Sequence, residues 1–175
     1  VRSEVHVMAT TLLNFDAASM DGDTVPVTAG DKAAYFDSIN GRLMLVFPDG
    51  ADEYAAVTRA VAMPQAYAGG TLTAKLHFIT GATANEVVWE VYVEAVTEAD
   101  ATDLDAATSF DSVNTTTETV PGTAGYLGIC DVTLTNKDSV AAGDMVRFLV
   151  RRDSDAAGDD AAASAYLIAV EIQEA

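Results

Sequence analysis

Aspartates are the residues whose types and spacing here most readily suggest chemistry. Asp100-x-x-Asp103-x-Asp105 and Asp153-x-Asp155-x-x-x-Asp159-Asp160 gather carboxylates in stretches that read as loops. Hard oxygen donors at such spacing suit calcium. Neither run has the glycine and closing glutamate of an EF-hand, and a solvated acidic loop is the plainer reading. Calcium is therefore kept as the one candidate cofactor, at Asp100, Asp103, Asp105, Asp153, Asp155, Asp159 and Asp160.

Other chemistry finds little support. The chain has two histidines, His6 and His77, and one cysteine, Cys130. No H-E-x-x-H, G-x-S-x-G or phosphate-loop sequence occurs. Cys130 lies in the apolar run Tyr126–Leu134 and reads as a small core residue. A single cysteine cannot form an intrachain disulfide. These residues predict a protein that is not an enzyme. Carbohydrate recognition on a sheet usually uses exposed aromatic rings, and the candidates are Tyr54, Tyr67, Tyr92 and Tyr126. Trp89, the only tryptophan, reads as core.

The 27 acids and 9 bases give a formal net charge of −18 over 175 residues. Such a surface repels phosphate backbones and argues against nucleic-acid binding. Half of the residues are apolar, which suits a globular domain with a sizeable core. No apolar run reaches the roughly 20 residues of a membrane helix. Val1–Phe15 lacks a charged stretch ahead of an apolar block and does not read as a signal peptide.

The elements that must position these residues read as strands. In Thr71–Thr80, Leu72, Ala74, Leu76 and Phe78 alternate with Thr73, Lys75, His77 and Ile79. In Val87–Val96, Val87, Trp89, Val91 and Val93 share one face, which should be core. The short link Gly81–Ala84 suggests that these two strands form an antiparallel pair. Asp37–Gly41 reads as a turn before Arg42–Phe47. Further strands fall in Glu53–Met63, Ser112–Val120, Leu127–Thr135, Met145–Arg152 and Ala165–Gln173, with Asp, Gly, Pro and Thr between them. About eight strands from residue 41 onward predict an all-β, antiparallel, jelly-roll-like sandwich over 33–175.

Residues 1–32 break this pattern. Asp21-Gly22-Asp23 and Ala29-Gly30-Asp31 punctuate them. They read as an extended N-terminal arm for attachment or subunit contact. Val5, Val7, Leu12, Leu13 and Phe15 are the expected partner-contact residues.

Several stretches carry a family resemblance. They are Met63-Pro64-Gln65-Ala66-Tyr67-Ala68-Gly69-Gly70-Thr71-Leu72, Val87-Val88-Trp89-Glu90, and Ala141-Ala142-Gly143-Asp144-Met145-Val146-Arg147 leading to Arg151-Arg152-Asp153. Over about 55–173 the chain resembles a broad group of mostly uncharacterised β-sandwich virion proteins from tailed phages and environmental viruses. The resemblance implies a capsid cement, decoration or fibre protein on the virion surface. It also implies a homo-oligomer, commonly a trimer, bound to the major capsid protein or another virion subunit. Two alternatives stand beside it. One is a receptor- or glycan-binding fibre module. The other is a subunit of an extracellular filament or surface layer joined by strand donation.

Overall fold

The alternation in Leu72–Thr80 divides that strand between two environments. Leu72, Ala74, Leu76 and Phe78 are buried, and the residues between them face outward, half-buried. The computed structural model describes residues 9–22, 30–105 and 108–175. Its strands are β1 (Thr10–Asp16), β2 (Met20–Asp21), β3 (Lys32–Ala33), β4 (Tyr35–Ile39), β5 (Arg42–Phe47), β6 (Tyr54–Thr58) and β7 (Val61–Ala62). They continue as β8 (Leu72–Thr80), β9 (Glu86–Val96), β10 (Asn114–Thr119), β11 (Gly128–Leu134), β12 (Met145–Arg152) and β13 (Ala165–Glu174). From Arg42 onward, eight of these are five residues or longer.

The strands form two sheets. The first runs β11-β8-β13-β5-β4, with β1 also pairing β13. The second runs β10-β9-β12-β6-β2, with β3 on β6 and β7 on β12. Every pairing is antiparallel except the short β3–β6 bridge. The protein is an antiparallel, jelly-roll-like β-sandwich.

Three local expectations change. β8 and β9 are not paired: β8 lies between β11 and β13, and β9 between β10 and β12. Both strands carry one strongly apolar face, and burying those faces against each other requires opposite sheets. Second, Asp37–Ile39 is strand rather than turn. The reversal takes only Asn40 and Gly41, whose positive φ values of 51° and 74° fit a two-residue hairpin. Third, residues 10–21 belong to the sandwich. β1 pairs β13, β2 pairs β6, and Phe15, Ala17 and Met20 lie in the core. Leu12 and Leu13 pack against that core half-buried. An isolated hydrophobic segment gains most by burial, and here its own domain supplies it. Val5 and Val7 lie outside the described residues.

The core fills the space between the inner faces. Trp89 is fully buried, with Phe47 and Phe78 edge-on to it at centroid distances of 5.1 and 5.6 Å. Arg152 is the exception among these apolar groups. Its guanidinium is wholly buried and donates to Asp159 Oδ1 and Oδ2 at 2.6 and 2.9 Å, and to the carbonyls of Ala161, Ala163 and Phe47. This clamps the loop after β12 onto the sandwich.

Candidate functional site

The outer face of the β11-β8-β13-β5-β4 sheet is divided along its length. Cross-strand pairing sets Tyr35, Val46, Tyr166 and Ile79 in one row. The next row holds Ala169, His77 and Ile129. A register shift between Leu167 and Ala169 adds Ile168 to this outward surface. Met44 and Val46 are only 2% exposed although they face away from the core. The result is an open groove of about 630 Å³. Ile39, Met44, Ile79, Leu127, Ile168 and Ala169 form its apolar lining, with Asn40, Arg42, His77 and Glu171 as polar members. Tyr126 and Ile129, both exposed, stand beside Leu127.

The other half of the same face is polar. Lys75 pairs with Asp131 at 2.6 Å. Glu171 accepts from Gln173 Nε2 at 3.0 Å and lies 3.4 Å from His77 Nε2. That approach lacks hydrogen-bond geometry, and His77 Nε2 is buried without a hydrogen-bond partner. Thus a titratable pair marks the border between an aliphatic floor and a hydrophilic strip.

The outer face of the opposite sheet holds a different site. Arg151 touches three carboxylates: Glu90 at 2.5 Å, Asp31 at 3.1 Å, and Glu53. Tyr92 packs beneath the guanidinium and donates to Glu90. Glu53 also converges with Asp153 and Asp155, one carboxylate oxygen from each lying within 4.8 Å of the others. Asp153 Oδ1 is buried and has no hydrogen-bond partner. One guanidinium cannot neutralise so many acids. Burial, opposed by the Arg151 charge and aided by neighbouring Asp31 and Asp153, pushes the Glu53 carboxyl up to about 8. Burial and the adjoining Asp155 and Glu90 also raise Asp153. Hard donors with excess negative charge can hold a proton or a divalent cation.

The expected cation ligands disperse. Asp153 and Asp155 lie in that cluster, joined by Glu53, which spacing alone did not suggest. Asp159 is gripped by Arg152, and one of its oxygens also accepts from the Val88 N–H. Asp160 accepts from the Glu86 N–H. Asp100 caps the short helical turn Glu98–Asp100 through the Thr97 N–H. Asp103 accepts from Asp105 N at 3.4 Å, and both Asp103 and Asp105 are exposed.

The tyrosine candidates also separate. Tyr67 is buried, hydrogen-bonded to the Gly70 carbonyl and to Lys137. Tyr92 is covered by Arg151, and Tyr54 is partly buried against the core. Tyr126 alone of the four is exposed, and it adjoins the groove. Tyr35 and Tyr166, unmarked in the sequence reading, lie on the groove's face. Their signal was the alternation of Tyr166 with buried Ala165 and Leu167. Cys130 is fully buried, and burial pushes its thiol up to about 12, so it is an inert core group. Among the described residues no helix is long and apolar enough to cross a membrane.

No family model matches the sequence, and no curated protein matches it. Some solved structures align with most of the chain. A carbohydrate-binding module of a multidomain xylanase, from the hindgut metagenome of Trinervitermes trinervoides, aligns over 96% of this chain and 98% of its own. It has 15% identity and a TM-score of 0.44. A carbohydrate-binding module with specific mannan recognition aligns over 97% and 99%, at 8% identity and a TM-score of 0.46. An exo-β-1,3-galactanase from Phanerochaete chrysosporium aligns over 93% of this chain and 29% of its own, at 11% identity and a TM-score of 0.47. These identities and scores carry no residue or ligand of those proteins onto this chain.

Proposed function

We propose that the protein is a non-catalytic binding module that holds a neutral glycan chain along the outer face of the β11-β8-β13-β5-β4 sheet. The groove carries this reading. A sugar ring offers an apolar C–H face and a hydroxyl edge. Here an aliphatic floor of Ile79, Leu127 and Ile168 lies beside Asn40, Arg42, His77 and Glu171. Its volume of about 630 Å³ falls in the usual range for ligand sites. The net charge of −18 favours an uncharged polymer over a polyanionic one.

The test is binding of the intact protein to neutral polysaccharides, such as mannan, xylan and β-glucan, against polyanionic alginate and heparin. Affinity electrophoresis and calorimetry should show binding to at least one neutral polymer and none to the polyanions. Ile168→Asp and Leu127→Asp should abolish it, while Thr115→Ala on the opposite sheet should not. A protein that binds no neutral polymer, or groove variants that bind like the parent, would overturn the reading. Carriage of this module on a phage particle is a second reading, favoured by the residues that resemble virion sandwich proteins. Its test is whether the chain co-purifies with intact particles.

A further inference from the structure

We infer that the groove takes an internal run of about four sugars, laid across the strands from one edge of the sheet to the other. The inference rests on the glycan reading and adds which part of a polymer is held. Each strand of this sheet supplies the floor in turn. Ile39 is on β4, Met44 on β5, Ile168 on β13 and Ile79 on β8, and Leu127 leads into β11. β4 and β11 are the terminal strands of that order. The floor therefore starts at one edge and ends at the other, across four strand spacings or about 19 Å. An extended pyranose chain advances by roughly one such spacing per sugar. The lining residues all lie on these strands, in the β4–β5 turn or in the link before β11. No other segment closes either end, so a chain that enters over β4 runs on past β11.

The two sides of the groove differ. Along β5 the outward residues run Val46, Met44, Arg42, and along β13 they run Tyr166, Ile168, Glu171. Met44 and Ile168 thus separate the row of Tyr35, Val46 and Tyr166 from Arg42 and Glu171. Tyr35 is 52% exposed at the β4 edge, and Tyr126 is 64% exposed next to Leu127 at the β11 edge. One side therefore offers aromatic rings to the C–H faces of sugars. The other offers a guanidinium donor and a carboxylate acceptor to their hydroxyls.

The course of the groove favours a sugar chain over a polypeptide. An extended peptide docks on a sheet by adding a strand along its edge. Here β11, β8 and β13 spend their backbone groups on one another. A peptide crossing them would meet no ladder for its own N–H and C=O groups. Sugar hydroxyls need no ladder, because side chains and water satisfy them singly.

Calorimetry of the full chain with manno-, xylo- and gluco-oligosaccharides, from disaccharide to octasaccharide, tests this. In a series whose polymer binds, affinity should rise with each sugar up to about four and then level. Borohydride reduction of the hexasaccharide opens its terminal ring and should change affinity by less than about twofold. Tyr126→Ala alters an exposed position at one end of the groove, and affinity should then level one sugar earlier. Levelling before three sugars or after six would overturn the inference. So would a loss of more than about tenfold on reduction, or a length profile that Tyr126→Ala leaves unchanged. In each of those cases polymer binding still stands, so the inference fails alone. A protein that binds no neutral polymer fails the glycan reading, and this inference with it.

Discussion

Arg152 and Asp159 form a two-pronged ion pair in the interior, both side chains wholly buried, with contacts of 2.6 and 2.9 Å. The pair ties the last residue of β12 to the loop that follows it. Three backbone carbonyls take the remaining guanidinium donors. Removing one partner strands a buried charge, which costs about 3–5 kcal/mol. Asp159→Ala should therefore lower stability by about that amount in urea unfolding. Arg152→Lys should also destabilise strongly, because an ammonium cannot fork onto both carboxylate oxygens. A loss below about 1 kcal/mol for Asp159→Ala would mean the clamp is not formed.

Trp89 supplies a second check on the same core. It lies between Phe47 and Phe78 with no solvent exposure. Trp89→Ala should cost about 3–5 kcal/mol. The native indole should emit at short wavelength and resist iodide quenching. Strong quenching would place the ring on the wrong face of β9.

Period-two alternation made β8, β11 and the inner face of β9 readable in the sequence, because one side of each strand meets the core and the other does not. The outer face of β9 gave no such signal. Val88, Glu90, Tyr92 and Glu94 are all buried, two by ion pairs with Arg151 and Arg147 that link positions 61 and 53 residues apart. Arg152 was illegible for the same reason, since nothing local marks which of two adjacent arginines faces inward. The groove is a product of sheet order. Met44, Ile79 and Ile168 come from three strands and Leu127 from the loop that leads into β11, and their meeting follows from β5, β13, β8 and β11 lying side by side. The acidic loop Asp153–Asp160 was visible as a run, but its carboxylates divide among Glu53, Arg152 and the β9 backbone.

Glu53 should give the protein a distinctive response to pH. Its carboxyl is raised from 4.5 to about 8 by burial in an acid-rich setting. Between those values the folded state keeps a proton that the unfolded state releases. The contribution of this group is therefore fully present below about pH 4.5 and declines as pH rises toward 8. Melting temperature measured from pH 6 to 9 should fall less steeply in Glu53→Gln than in the parent. Equal slopes would show that the residue is ionised throughout.

The same cluster makes a specific calcium test. If a divalent cation replaces that proton among Glu53, Asp153 and Asp155, millimolar calcium at pH 7 should release protons and raise the melting temperature. The rise should exceed that given by sodium at equal ionic strength. Asp153→Asn should remove the excess and leave the general salt effect, which acts on the charge of −18. Identical responses to calcium and sodium would leave the cluster a proton site.

Residues 10–21 decide whether the N-terminal region attaches the protein to something else or completes its own fold. Phe15, Ala17 and Met20 are at most 4% exposed, and Phe15 stacks at 6.0 Å on Phe148 of the opposite sheet. β1 also covers the half of β13 that β5 leaves free. Removing this segment strips one edge of backbone hydrogen bonds and uncovers the core. Burial of a large apolar side chain contributes about 1.5–3 kcal/mol, so losing Phe15 and Met20 together consumes much of a domain's net stability of about 5–15 kcal/mol. Deletion of residues 1–21 should give an aggregated or unfolded chain, and Phe15→Ala alone should cost about 3–5 kcal/mol. A deletion product that is soluble, sheet-rich and cooperative on melting would show that the sandwich closes without β1. It would return the segment to the role of an external arm.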